Sequence, residues 1–237
     1  MVNDLKKRVA HGLRGLPWSL IVRAVIFGGA WLILPFWAFA VLAFGMYFFP
    51  LFQPFLLFVP FLLTIVFAGL LGTSLWGAVF LGILFYLVIG IKDLILIDRR
   101  RAYHILTFLI FLALFLNFFY HYPRPDVPFA AFGLGLIFFI VFRGFVAYII
   151  PEAGEAHRAT FVSGLAALLV GQLALILLVL PLSFFYQTAL LFLSVVLLAE
   201  FVIDHLEDRL DRRIVLTNAS IILVFFSVVL ALNRWGL

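Results

Sequence analysis

Between Trp18 and Ile91 the chain carries a single Lys or Arg, Arg23, in an otherwise almost unbroken apolar run. No water-soluble fold of this size hides that much apolar surface, so the solvent for this sequence is lipid. The ruler is then about 20 apolar residues per spanning helix. The run is too long for three ordinary spans with loops and suits four tightly joined ones. Proline and glycine mark the joints. Pro35 interrupts "WLILPFWAF", Pro50 and Pro54 bracket "LFQ", and "GLLGTS" breaks the next stretch. Proline lacks a backbone donor and clashes with the preceding turn, so it ends or kinks a helix. These breaks predict spans at 18–34, 36–52, 54–72 and 73–91, with one long helix kinked at Pro35 as the alternative for the first two.

The second half repeats the pattern with clearer punctuation. Apolar runs fall at 103–120, 128–150, 160–180, 183–203 and 214–232. They are separated by "KDLILIDRRRA", "HYPRPDV", "PEAGEAHRA", "LPLS" and "DHLEDRLDRR". The runs are continuous rather than alternating, which predicts helices and not barrel strands. The fold class is therefore all-α: a polytopic transmembrane helix bundle of about nine spans, or eight if the first segment does not cross. Composition agrees, with 67% hydrophobic and 11% charged residues, against about 25% charged in an ordinary soluble domain. Residues 1–17 form a basic N-terminal segment and 18–237 a single transmembrane domain. That basic start precedes a hydrophobic run without a small-residue cleavage pattern, which predicts an uncleaved first span.

Positive charge sets the orientation, because cytoplasmic loops carry excess Lys and Arg. Lys6, Lys7, Arg8 and Arg14 put the N-terminus inside, and Lys92, Arg99, Arg100 and Arg101 put the next basic loop inside too. Two inside points require an even number of spans between them, and four satisfies this. Arg124 then falls outside, Arg158 inside, Arg209, Arg212 and Arg213 inside, and the C-terminus outside. Net charge is +5, but its clusters sit between apolar runs. They suit anionic lipid headgroups and docking partners rather than nucleic acid. The short loops and missing eukaryotic sorting signals point to a prokaryotic plasma (inner) membrane. With no cysteine there is no disulfide, thiolate metal site or cysteine nucleophile. No phosphate loop, dinucleotide fingerprint or zinc motif occurs, and the sequence names no cofactor.

Two stretches resemble each other. "GIKDLILIDRRRAYHILTFLIFLALF" and "FVIDHLEDRLDRRIVLTNASIILVFF" each end a span in an aspartate, Asp93 or Asp204. Each then has a second acid followed by arginines and a new span. Four spans separate the two loops, which predicts a parallel internal repeat of the kind many transporters have.

The candidate site residues are few. Glu200, Asp204, Asp208 and Asp211 recur at helical spacing, with Glu207 beside them. On a continuing helix they share one face. Glu200, Asp204 and Asp208 are the candidate ligands for Mg²⁺, which prefers one or two carboxylates plus phosphate oxygens. In this one loop the acids resemble those of membrane prenyltransferases of the UbiA type, which implies a polyprenyl diphosphate as substrate. The counterpart loop offers only Asp93 and Asp98 and no Asn-Asp start, so the resemblance ends there. Within the apolar slab, Arg143 and Glu200 have comparable depths and opposite signs, which predicts an intramembrane ion pair between the sixth and eighth spans. Arg99, Arg100, Arg101, Arg209, Arg212 and Arg213 are the candidate cytoplasmic docking residues. Gln53, Gln172, Gln187, Asn117, His121 and Asn218 are read as cross-helix hydrogen-bonders. Gly28–Gly29, Gly69/Gly72 and Gly133/Gly135 are read as points of close helix contact.

No complete catalytic constellation emerges, so the favoured reading is a non-catalytic membrane-embedded subunit or scaffold. A small transporter or channel is the second reading. A Mg²⁺-dependent enzyme processing a lipid or polyprenyl diphosphate is the third.

Overall fold

The computed structural model describes residues 18–49, 55, 57–93, 98–121, 127–150, 156–207, 209 and 211–232. Among them there are nine helices and no strand. They are α1 (Trp18–Ile33), α2 (Phe36–Phe48), α3 (Phe58–Leu70), α4 (Leu75–Lys92), α5 (Arg99–His121), α6 (Val127–Ile149), α7 (Ala156–Val179), α8 (Phe184–Leu206) and α9 (Arg212–Leu232). Nine helices thus lie where nine spans are expected. Five of them, α4 to α8, are long and apolar enough to cross a membrane. α2 and α3 have 13 residues each. At 1.5 Å per residue that is about 20 Å, short of a hydrocarbon core about 30 Å thick.

The proline logic holds in detail at the first joint. The chain breaks at Leu34 and Pro35, and Pro35 caps α2, so α1 and α2 are two helices rather than one kinked rod. Pro60 sits in the first turn of α3, where its missing N–H would have no partner in any case. The start of α4 is fixed by Ser74, whose side chain accepts a 3.0 Å hydrogen bond from the Gly77 N–H. Asp98 does the same for α5, accepting from the Arg101 N–H at 3.1 Å. The Arg101 side chain reaches back to Asp98 at 2.9 Å. An aspartate at its foot is therefore what the start of α5 needs, and Asp211 stands in the same place before α9, so that part of the likeness between the 98 and 211 regions requires no duplication.

The chain divides into two compact units, residues 1–102 and 103–237. In the first unit the four helices run up, down, up and down. Phe27 of α1 meets Phe39 of α2 edge-on at 4.9 Å and stacks on Phe85 of α4 at 4.0 Å. Tyr47 of α2 stacks on Phe61 of α3 at 4.1 Å. At the α1–α2 turn end, the Trp31 Nε1–H donates to the Ala68 carbonyl at 2.8 Å. Lipid tails are as apolar as leucine, so such close packing, rather than exclusion from water, holds helices together in a bilayer. Glycine permits it between α1 and α4. A Cβ on Gly28 would lie 2.6 Å from the Ala78 carbonyl oxygen, and one on Gly82 would lie 3.2 Å from that of Ala24.

In the second unit α5 lies against α6 and α8 through large rings. Tyr103 meets Tyr148 at 4.3 Å, Phe111 meets Phe138 at 4.7 Å and Phe108 meets Phe192 at 6.3 Å. α6 and α7 pack closely at Gly135, whose missing Cβ would be 3.4 Å from the Ala167 carbonyl oxygen. Gly29, Gly72 and Gly133 face open space, so only one glycine of each predicted pair makes a close approach. Gln187 of α8 donates to the Leu177 carbonyl at 2.8 Å, satisfying an open carbonyl at the end of α7. Gln187→Leu should leave that buried carbonyl unpaired and cost about 1 kcal/mol. Thermal unfolding in a fixed detergent should show a midpoint about 2–4 °C lower, and an unchanged midpoint would remove this bond from the account of the α7–α8 turn.

Candidate functional site

A group of charged side chains that is largely buried lies at one end of the first unit. Antiparallel packing brings the start of α1 beside the end of α4, which puts the lone arginine of the apolar run next to Asp93. Arg23 Nη1 lies 3.3 Å from Asp93 Oδ2, and Lys92 Nζ lies 3.3 Å from Asp93 Oδ1. One carboxylate thus faces two cations. Lys92 is fully buried, the Asp93 side chain is 9% exposed and the Arg23 side chain 36% exposed. The Lys92 ammonium also sits 5.1 Å from the centre of the Tyr47 ring, over its electron-rich face. Tyr47 is buried, and its ring is held by Phe61.

Arg23 is the one charged wall of an open groove of about 310 Å³, whose other lining residues are Leu42, Gly45, Met46 and Phe49 of α2. Sequence reading singled out Arg23 and Asp93 separately and did not join them. In the sequence Lys92 reads as a loop charge, and Tyr47 is one aromatic among many. The available signal was that a lone arginine in an apolar run needs a counter-charge, and Asp93 is the first acid after it.

The second unit holds most of the sequence-predicted candidates. Arg143 on α6 and Glu200 on α8 are both exposed, and no ion pair joins them among the described residues. Helix α8 stops at Leu206, where the Glu207 N–H closes the last turn on the Ile203 carbonyl at 2.9 Å. The acidic periodicity therefore does not run on along one face: Glu200 and Asp204 stay on α8, while Asp211 stands just before α9. The reason is local. The Arg209 N–H turns back to the Asp204 carbonyl at 2.8 Å, which bends the chain out of the helix. Asp208 lies outside the described residues, and among those described no three His, Asp or Glu side chains come together to hold a metal.

Of the candidate docking arginines, Arg99, Arg100, Arg101, Arg209 and Arg213 are exposed, and the Arg212 side chain lies outside the described set. Arg209 pairs with Glu207 at 3.2 Å. Arg158, at the start of α7, reaches the His205 carbonyl at the end of α8 at 3.3 Å. A cation there suits the negative end of the helix dipole.

Of the polar residues read as cross-helix hydrogen-bonders, Gln187 alone bonds to another helix among the described residues. His121 meets the Asn117 carbonyl at 3.1 Å, and His104 packs edge-on against Phe145 at 4.9 Å. Gln172 is exposed on α7, and Gln53 lies outside the described residues. Sequence reading gave no role to Thr188. It and Ser163 are buried hydroxyls without a hydrogen-bond partner among the described residues. They sit near opposite ends of an antiparallel helix pair and form no joint site. No protein-family model, no curated protein and no solved structure matches this chain.

Proposed function

We propose that this is a multi-spanning integral membrane protein that serves as a non-catalytic, membrane-embedded subunit or scaffold. The observation supporting this is the outward placement of Arg143 and Glu200. Each lies six residues from the end of its helix, at Ile149 and Leu206, or about 9 Å at 1.5 Å per residue. Each is exposed rather than folded into the bundle. A charge at the centre of a spanning helix costs roughly 2.5–3.5 kcal/mol on insertion scales, and snorkelling to the interface, a counter-charge or a water-filled surface offsets it. A partner helix carrying the opposite charges would do so. The exposed arginines at the same end of the second unit would add contacts to that partner or to anionic headgroups. On this reading the basic ends face the cytoplasm of a prokaryotic plasma membrane, with the N-terminus inside.

The test is mild extraction from the native membrane followed by mass spectrometry with lipids and proteins retained. A stoichiometric partner is expected, and its yield should fall severalfold in Glu200→Gln and Arg143→Gln while the chain itself stays folded. A chain that emerges alone would sink the subunit reading.

A small transporter or channel is the second reading, favoured by Lys92 buried on Asp93. Ionisable groups inside membrane bundles commonly mark transport paths. A cation or proton flux in reconstituted vesicles that disappears in Lys92→Met would favour it over the first.

A further inference from the structure

We propose that the groove beside Arg23 binds the phosphate of an anionic phospholipid, whose glycerol and upper chain lie along α2. The proposal is independent of the subunit reading. It starts from the openness of one member of the cluster. Asp93 is shared between Arg23 and Lys92. Of the three groups only Arg23 is substantially open, and it is the one that lines the groove. The positive charge that the groove meets is therefore that of Arg23.

Chemistry and shape then narrow the ligand. Among the described residues Arg23 is contacted through Nη1, by Asp93, which leaves its other N–H groups to donate. A guanidinium presents its donors as a planar fork that matches phosphate oxygens two at a time. The rest of the lining is apolar: Leu42, Met46 and Phe49, with Gly45 between them. No atom lies within 4 Å of the position a Gly45 Cβ would take, so the space reaches down to the α2 backbone. A free inorganic anion would leave the apolar wall uncovered. An amphiphile with a phosphate at one end covers both parts. Depth agrees as well. Arg23 is five residues beyond Trp18, the exposed first residue of α1. That is about 8 Å along the helix, just inside the level where interfacial tryptophans sit. A zwitterionic lipid brings the same phosphate, but its own ammonium competes for it.

The experiment uses the full chain in detergent, offered phosphatidylglycerol or phosphatidylcholine, with native mass spectrometry as the readout. Wild type should retain one phosphatidylglycerol and much less phosphatidylcholine. Arg23→Gln and Gly45→Leu should each lower the retained phosphatidylglycerol about tenfold. Gly45→Leu is the decisive variant. It fills the groove, leaves the Arg23–Asp93–Lys92 contacts in place, and removes a glycine from a helix interior, so the fold should be at least as stable. Unchanged retention in Gly45→Leu would overturn the proposal, as would equal retention of the two lipids by wild type. Displacement of the lipid by millimolar inorganic phosphate would assign the site to a free anion instead.

Discussion

Gly28→Val should be the most damaging single substitution in the α1–α4 interface. Even the first carbon of the new side chain would lie 2.6 Å from the Ala78 carbonyl oxygen and 3.4 Å from its carbon. Those atoms are backbone, in the middle of another helix, and cannot swing aside as a side chain could. The helices must separate. Ordinary overpacking costs about 1–3 kcal/mol, occasionally more, and this obstruction belongs at or above the upper end. At roughly 2–4 °C per kcal/mol for a chain of this size, the thermal midpoint should fall by about 6–12 °C, with loss of monodisperse protein. The neighbouring position supplies the control. A Cβ on Gly29 meets nothing within 4 Å, so Gly29→Ala should stay within about 0.5 kcal/mol of wild type. Equal damage at both positions would mean that helix propensity or insertion, not contact with α4, decides the stability of α1.

The contrast between the two glycines shows where sequence reading stops. Apolar length and proline spacing located the nine helices of the described residues, because each signal is local: a run of side chains and a residue that cannot continue a helix. Pro35 was legible as a break, yet whether it kinked or divided a helix depended on Phe27 finding Phe39 across the turn. The glycine pairs were legible as small residues. Which member of each pair faces a neighbour depends on helix rotation, and helices this uniformly apolar carry little signal for that. The exposed α7 face bearing Gln172 and the buried faces of the same helix are composed of the same residue types. The charged cluster was hidden for a related reason. Arg23 and Asp93 are 70 residues apart, and only the antiparallel return of α4 onto α1 joins them. The acidic series from Glu200 to Asp211 failed in the opposite way. Its spacing suits a helix, but the chain turns out of α8 after Leu206.

Asp93→Ala should test what that cluster is for. Removing the carboxylate takes from the fully buried Lys92 and from Arg23 the described counter-charge that they share. Breaking a buried ion pair by deleting one partner typically costs about 3–5 kcal/mol, because the remaining charge stays desolvated. The midpoint should drop by about 6–20 °C. Lys92→Met should behave differently. It replaces a buried cation with an apolar side chain of similar length, and Asp93 keeps Arg23. The carboxylate then still faces Arg23, so no buried charge loses its last described partner and the cost should stay well below that of deleting Asp93. The double variant Lys92→Met/Asp93→Asn removes both buried charges and leaves only the partly open Arg23, so it should recover much of what Asp93→Ala loses. This order, with Asp93→Ala worst, the double variant intermediate and Lys92→Met mildest, is what a structural ion pair requires. If Lys92→Met is as unstable as Asp93→Ala, the ammonium makes contacts beyond the pair that the fold depends on. If Lys92→Met is stable but the cell loses the protein's activity, the buried amine has a task of its own. The balance then moves from scaffold to transporter.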